Sequence, residues 1–190
     1  MGRIIDADSH FMEPLDLWER YIEPQFRSRC LRFERDANGA HVMVINENKR
    51  IDGVGEFTME DMLGVGVGYG QKEEGKGLGT FDYATAFNST LEDMDARVRF
   101  LDQEGMESQF IYPTLGLMWE GQVTDPELAA AHCRAYNTWA LEICSTHRNR
   151  LFPVGHLTLR HPTATVQELH RLAKAGVRTV FVGAFPVGGK

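Results

Sequence analysis

Near the N-terminus, Ile4-Ile5-Asp6-Ala7-Asp8-Ser9-His10 runs a short apolar segment straight into two carboxylates and an imidazole. Side chains alternate faces along a strand, so Asp6, Asp8 and His10 are expected on one face. Hard carboxylate oxygen beside borderline imidazole nitrogen suits a divalent cation such as zinc or manganese. Asp8 and His10, two residues apart, are the candidate ligand pair, because metal sites in parallel α/β enzymes collect ligands from the C-terminal ends of strands. The same residues also suit a solvated strand-to-loop corner in which Asp and Ser close a turn.

The elements that position such a pair follow from periodicity. Strand one spans residues 3 to 10. A helix is expected to open at Ser89-Thr90-Leu91-Glu92, a Ser-x-x-Glu capping box, with Leu91, Met94, Val98 and Leu101 on its buried face and Gly105 as its left-handed terminator. Strand two is Ser108 to Pro113. The next helix starts at Asp125-Pro126, a cap followed by proline in the first turn, and reaches about His147. Leu151 to Leu157 reads as strand three, Thr163 to Ala175 as a helix, and Val177 to Gly183 as strand four. Glu104-Gly105-Met106 and Ala175-Gly176-Val177 punctuate helix-to-strand turns alike, the mark of a βα repeat. Residues 30 to 88 break that rhythm. Leu31 to Arg35 and His41 to Asn46 flank Asp36-Ala37-Asn38-Gly39, a hairpin signature, and residues 64 to 79 hold seven glycines in sixteen residues. Gly70-x-x-x-x-Gly75-Lys76 approaches a phosphate-binding loop, but Gly77 stands where a magnesium-binding Ser or Thr belongs, so a mobile lid or ordinary glycine-rich loop is the better reading.

Asp6-x-Asp8-Ser9-His10 followed by Glu13-Pro14-x-Asp16-Leu17-Trp18 resembles the N-terminal signature of the amidohydrolase-related metalloenzymes. That branch includes the aminocarboxymuconate-semialdehyde and γ-resorcylate decarboxylase types. The resemblance implies a (β/α)8 barrel whose mononuclear metal is held by a residue pair after the first strand, a His from a middle strand and an Asp from the last. It makes Asp8 and His10 the first pair. A carboxylate at the first of these positions, where many amidohydrolases carry His, resembles the γ-resorcylate decarboxylase arrangement. The implied chemistry is hydrolysis by activated water, or non-oxidative decarboxylation of a small carboxylated or cyclic substrate. The residues leave that choice open.

A (β/α)8 barrel takes about 250 residues and this chain has 190. The expected fold is therefore α/β, the N-terminal half of a TIM-like barrel: a single, incomplete domain over residues 1–190, with an insertion at 30–88 and βα repeats over 89–190. The middle-strand His and last-strand Asp have no expected counterpart, and the chain alone is expected to be inactive. The other reading is a non-catalytic half-barrel interaction module, whose open edge would favour homo-oligomers.

Two further residues are candidates for substrate contact. His156 falls near the end of strand three and reads as substrate-facing or as a hydrogen-bonded structural His. Trp119, with Met118, follows strand two, where it lines a pocket or packs a helix. Trp139 reads as core, and His132, His147, His161 and His170 as surface or capping residues.

Net charge is −7 with a pI near 5.5, which leaves no basic footprint for nucleic acid or anionic membrane. No apolar run approaches a membrane span and the start lacks a signal-peptide layout. Three cysteines, Cys30, Cys133 and Cys144, without a Cys-x-x-Cys pair, read as reduced structural thiols in a cytoplasmic protein.

Overall fold

A computed structural model describes residues 3–35, 37, 41–46, 49–51, 53–54, 57–58 and 93–184. The chain opens with β1 (Ile4–His10), a short helix α1 (Leu17–Tyr21) and a 3-10 turn over Pro24–Arg29. Three antiparallel strands follow, β2 (Arg32–Arg35), β3 (His41–Ile45) and β4 (Lys49–Ile51), then the small pair β5 (Gly53–Val54) and β6 (Phe57–Thr58). The second part alternates α2 (Met94–Gln103), β7 (Met106–Tyr112), α3 (Gly116–Trp119), α4 (Pro126–Ile143), β8 (Leu151–Pro153), β9 (Gly155–Leu157), α5 (Pro162–Lys174) and β10 (Val180–Val182).

The strands of the βα part are parallel throughout. β1 pairs with β7 and β7 with β8, in the order β1-β7-β8, while β9 pairs with β10. The expected strand three is thus one run that changes partner at Val154. The Val154 N–H bonds back to Ile111 O at 2.9 Å, and the Gly155 N–H bonds forward to Thr179 O at 3.0 Å. Strand four is shorter than expected, starting at Val180 rather than Val177, because Val177 N–H is taken by Leu172 O at the end of α5.

Capping sets the helix boundaries. The Ser89–Glu92 capping box and Leu91 lie outside the described residues. The described helix α2 is capped by Asp93, whose carboxylate accepts the N–H groups of Asp95 and Ala96. Asp93 is a stronger cap because a charged acceptor faces the positive end of the helix dipole. Asp125 caps α4 in the same way ahead of Pro126. α4 ends at Ile143, short of the expected His147, whose N–H bonds to Cys144 O in a closing turn. Gly105 and Gly176, at φ of 69° and 91°, occupy the left-handed conformation that lets each helix turn into the next strand without a Cβ clash.

The β2–β3 hairpin forms as expected, with Arg32 opposite Val44 and Arg35 opposite His41. Its turn residues Asp36, Asn38 and Gly39, and the glycine-rich stretch 64–79, lie outside the described residues.

α4 packs on α1, β9 and α5. Around it lies the core of Phe11, Leu17, Trp18, Ile111, Leu115 and Tyr136, all buried together with Trp139. Cys30, Cys133 and Cys144 are free thiols within this interior, and burial pushes the Cys144 thiol up to about 12. No described helix is long and apolar enough to cross a membrane.

Candidate metal centre

The C-terminal end of β1 carries the candidate pair, and its local geometry comes from a bulge. Asp6 pairs with Gln109 and Ser9 with Ile111, so three steps of β1 oppose two of β7. Asp6 holds this bulge closed. Its Oδ1 accepts the Asp8 N–H at 3.0 Å and its Oδ2 accepts from Gln109 Nε2 at 3.1 Å. The strict alternation expected to put Asp6, Asp8 and His10 on one face is therefore interrupted. Asp6 has a structural role, and Asp8 and His10 are left facing one another.

Asp8 Oδ1 and His10 Nε2 are 3.9 Å apart, with side chains 90% and 41% exposed. That gap is shorter than the sum of two metal–ligand bonds, about 4.2 Å for nitrogen and oxygen donors, so one cation spans the pair without rebuilding the strand. His10 Nδ1 lies 3.0 Å from the carbonyl of Pro113. A carbonyl only accepts, so Nδ1 carries the proton and Nε2 keeps its lone pair facing Asp8. The two donors fit a divalent metal. Among the described residues, however, no cluster of three or more His, Cys, Asp or Glu side chains forms a complete cation site.

Two charged residues that the sequence reading left without a role build the floor beneath this pair. Arg97 is buried on α2, and its Nη2 donates to Ser9 Oγ at 3.1 Å and to the His10 carbonyl at 2.6 Å. Burial lowers its pKa to about 10. The signal for it was a cation three residues from both Met94 and Phe100 on an otherwise apolar stripe. Glu13 is fully buried and accepts three backbone N–H groups, from Thr114 at 2.9 Å, Leu115 at 3.1 Å and Gly116 at 3.3 Å. Burial raises its pKa to about 7, against the lowering effect of those donors. Its signal was a carboxylate directly before Pro14 in a segment otherwise bound for the core.

His156 and Trp119 come together, but inside the chain. Both are fully buried, with rings 5.3 Å apart. His156 Nε2 pairs with Glu120 Oε2 at 3.0 Å, and its backbone N–H donates to Asn137 Oδ1. Burial alone would raise the Glu120 carboxyl, but the bond and charge of His156, with Thr158 and Arg160, hold it below the usual carboxylate range. A Cβ on Gly116 would sit 3.3 Å from His156 Nδ1, so the Pro113–Gly116 loop separates His156 from His10.

The reading of the remaining histidines is corrected at His132, which is fully buried rather than on the surface. Its Nδ1 donates to Leu128 O at 2.7 Å and its Nε2 accepts the Leu31 N–H at 2.9 Å. Burial lowers its pKa to about 4. The helical spacing did not reveal it because its partner, the Leu31 N–H just ahead of β2, is 101 residues away. His161 does cap α5, accepting the Ala164 N–H, and His147 bonds Asp95 at 2.5 Å.

A sequence model described as amidohydrolase matches residues 5–189. Among solved structures, an amidohydrolase from Mycobacterium avium subsp. paratuberculosis is similar with a TM-score of 0.71 and 24% identity, over 97% of this chain and 50% of that one. The 2,6-dihydroxybenzoate decarboxylase from Rhizobium is similar at a TM-score of 0.51 and 15% identity, over 98% of this chain and 42% of its own. The same enzyme complexed with 2,6-dihydroxybenzoate gives a TM-score of 0.51 at 15% identity, over 98% and 43%. At these identities the likeness is one of fold. The chain spans half or less of the length of each of these structures. No curated protein matches it.

Proposed function

The chain belongs to the amidohydrolase family, and from that premise we propose that it is the metal-gripping N-terminal part of a (β/α)8 hydrolase or non-oxidative decarboxylase acting on a small carboxylated or cyclic substrate. The observation that carries this reading is the Asp8–His10 pair, 3.9 Å apart at the end of the first parallel strand, with His10 Nδ1 already engaged. Asp8 supplies negative charge and His10 a neutral nitrogen donor, a set that zinc or manganese accepts. A divalent cation held there supplies Lewis acidity. The chain's own residues do the rest of the positioning: Asp6 fixes the bulge that presents Asp8, and Arg97 anchors the Ser9 hydroxyl and the His10 carbonyl. The carboxylate in the first ligand position, and a 2,6-dihydroxybenzoate decarboxylase among the similar folds, favour carboxyl loss over hydrolysis.

Elemental analysis after purification with Zn2+ or Mn2+ tests the assignment. One divalent ion per subunit is expected for the full-length enzyme, and a large loss in both its Asp8→Ala and His10→Ala variants. Undiminished metal in both variants would remove the reading.

A second reading, an assembly module, is favoured by a separate observation. The outer strands of the described parallel run, β1 and β10, expose Ile4, Ile5, Val180 and Val182. Strand edges with apolar side chains call for a partner, and self-association would cover them.

A further inference from the structure

Resting on the metal reading of His10, we propose that Glu13 is the positioning residue of the centre: by anchoring one peptide unit it fixes the tautomer of His10 and so aims Nε2 at the cation. The peptide between Pro113 and Thr114 links the two side chains. Its N–H donates to Glu13 Oε1 at 2.9 Å, and its C=O accepts from His10 Nδ1 at 3.0 Å. Among the described residues there are no cis peptide bonds, and in a trans peptide the N–H and C=O point in opposite directions along one rigid plane. Holding the N–H on a buried carboxylate therefore directs the C=O back at His10.

The same carboxylate takes the next two N–H groups, of Leu115 and Gly116, so the whole corner is fixed. Without it, three backbone donors would be buried with no acceptor, which forces the corner to rearrange. Thr114 Oγ1 closes the other side, donating to the Phe11 carbonyl and lying 3.4 Å from His10 Nδ1. If the Pro113 carbonyl turns away, that hydroxyl is the nearest alternative partner, and because its one proton can stay on the Phe11 carbonyl or swing onto Nδ1, it no longer dictates which ring nitrogen of His10 holds the proton. Glu13 does not touch the ring. Its effect on His10 passes through a single peptide plane, as groups beyond the ligands commonly orient metal-bound histidines.

The test uses the metal-free chain labelled with 15N-histidine, comparing the native sequence with Glu13→Gln and the charge-keeping Glu13→Asp, each checked for folding by circular dichroism. His10 is assigned by its loss in His10→Ala. The native chain is expected to carry the His10 proton on Nδ1. Glu13→Gln is expected to give mixed tautomers and a 10- to 100-fold weaker Zn2+ affinity by competition titration, with Glu13→Asp between the two. Asp8→Ala is expected to weaken Zn2+ binding while leaving the His10 tautomer native, which separates ligand loss from positioning. A native His10 protonated on Nε2 would overturn the proposal whether or not the variants fold. So would an unchanged tautomer in a folded Glu13 variant. If the tautomer shifts as expected but the native chain does not take up Zn2+, the positioning stands and the metal reading fails.

Discussion

At the residue scale, the buried ionisable groups are those whose neighbours decide their charge. Glu13 and His132 are both fully buried and have opposite effects on acid stability. The Glu13 pKa rises from 4.5 to about 7, so the folded chain holds the extra proton. Its contribution is present in full below about pH 4.5 and is lost as pH rises through 7. The His132 pKa falls from 6.5 to about 4, so its contribution is present above about pH 6.5 and is lost as pH falls through 4. Each amounts to about 3 kcal/mol, and the two windows overlap, so the native chain is expected to show a shallow slope between pH 4.5 and 6.5. Glu13→Gln should expose the histidine, making the chain lose stability steeply over that interval, while His132→Gln should leave stability falling as pH rises. Urea unfolding at pH 5 and pH 7 checks both. A native slope unchanged in Glu13→Gln would mean that this carboxyl titrates normally.

Arg97 presents the complementary case of a buried cation. Its bonds to Ser9 Oγ and the His10 carbonyl hold the end of β1, whereas its Nη1 has no hydrogen-bond partner among the described residues. Charge-assisted bonds are worth about 1.5–3 kcal/mol each and a buried orphan donor costs about as much. Arg97→Met, which keeps an unbranched apolar stem but removes the guanidinium that lies over the Phe11 ring, is expected to destabilise by about 1–3 kcal/mol in chemical denaturation and to broaden the His10 signals.

At the element scale, the corner between β7 and α3 carries more constraint than its three residues advertise. Glycine inside a helix ordinarily gains about 1 kcal/mol when replaced by alanine. At Gly116 the sign reverses, because a Cβ would sit 2.7 Å from Pro113 Cβ and 3.3 Å from His156 Nδ1, neither of them the free end of a flexible chain. Gly116→Ala is expected to lower stability by about 1–3 kcal/mol. Gly155→Ala meets chiefly the Cδ1 of Leu172 at 2.6 Å, the far end of a side chain rather than a proline ring, and should cost less. Thermal melts of the two variants rank them, and equal losses would show that the corner yields as easily as a leucine.

At the scale of the whole molecule, the five parallel strand segments β1, β7, β8, β9 and β10 end with apolar groups exposed on both outer strands, β1 and β10. The chain is expected to self-associate with rising concentration in light scattering, and the double variant Ile5→Lys with Val182→Lys to shift it toward monomer. A compact native monomer that binds no hydrophobic dye would count against the half-barrel reading. Turnover by the chain alone is expected to be absent, since the described residues offer two cation donors where catalytic sites use three protein ligands. Decarboxylation and hydrolysis assays with added Zn2+ or Mn2+ check this.

The order of the βα elements, the β2–β3 hairpin and the closeness of Asp8 to His10 were legible in the sequence because they rest on short-range physics. Period-two and period-3.6 patterns, caps such as Asp125-Pro126, left-handed glycines at 105 and 176, and Asp8-x-His10 are all set within a few residues of chain. Tertiary structure alone decided what the polar residues between them do. Asp6 went to a bulge, His132 to a backbone N–H 101 residues away, Arg97 to a carbonyl 87 residues away, and Glu13 to three N–H groups more than 100 residues along. A buried polar group takes whichever partner the packing brings within about 3 Å, and that proximity is a property of the folded backbone that no local spacing encodes.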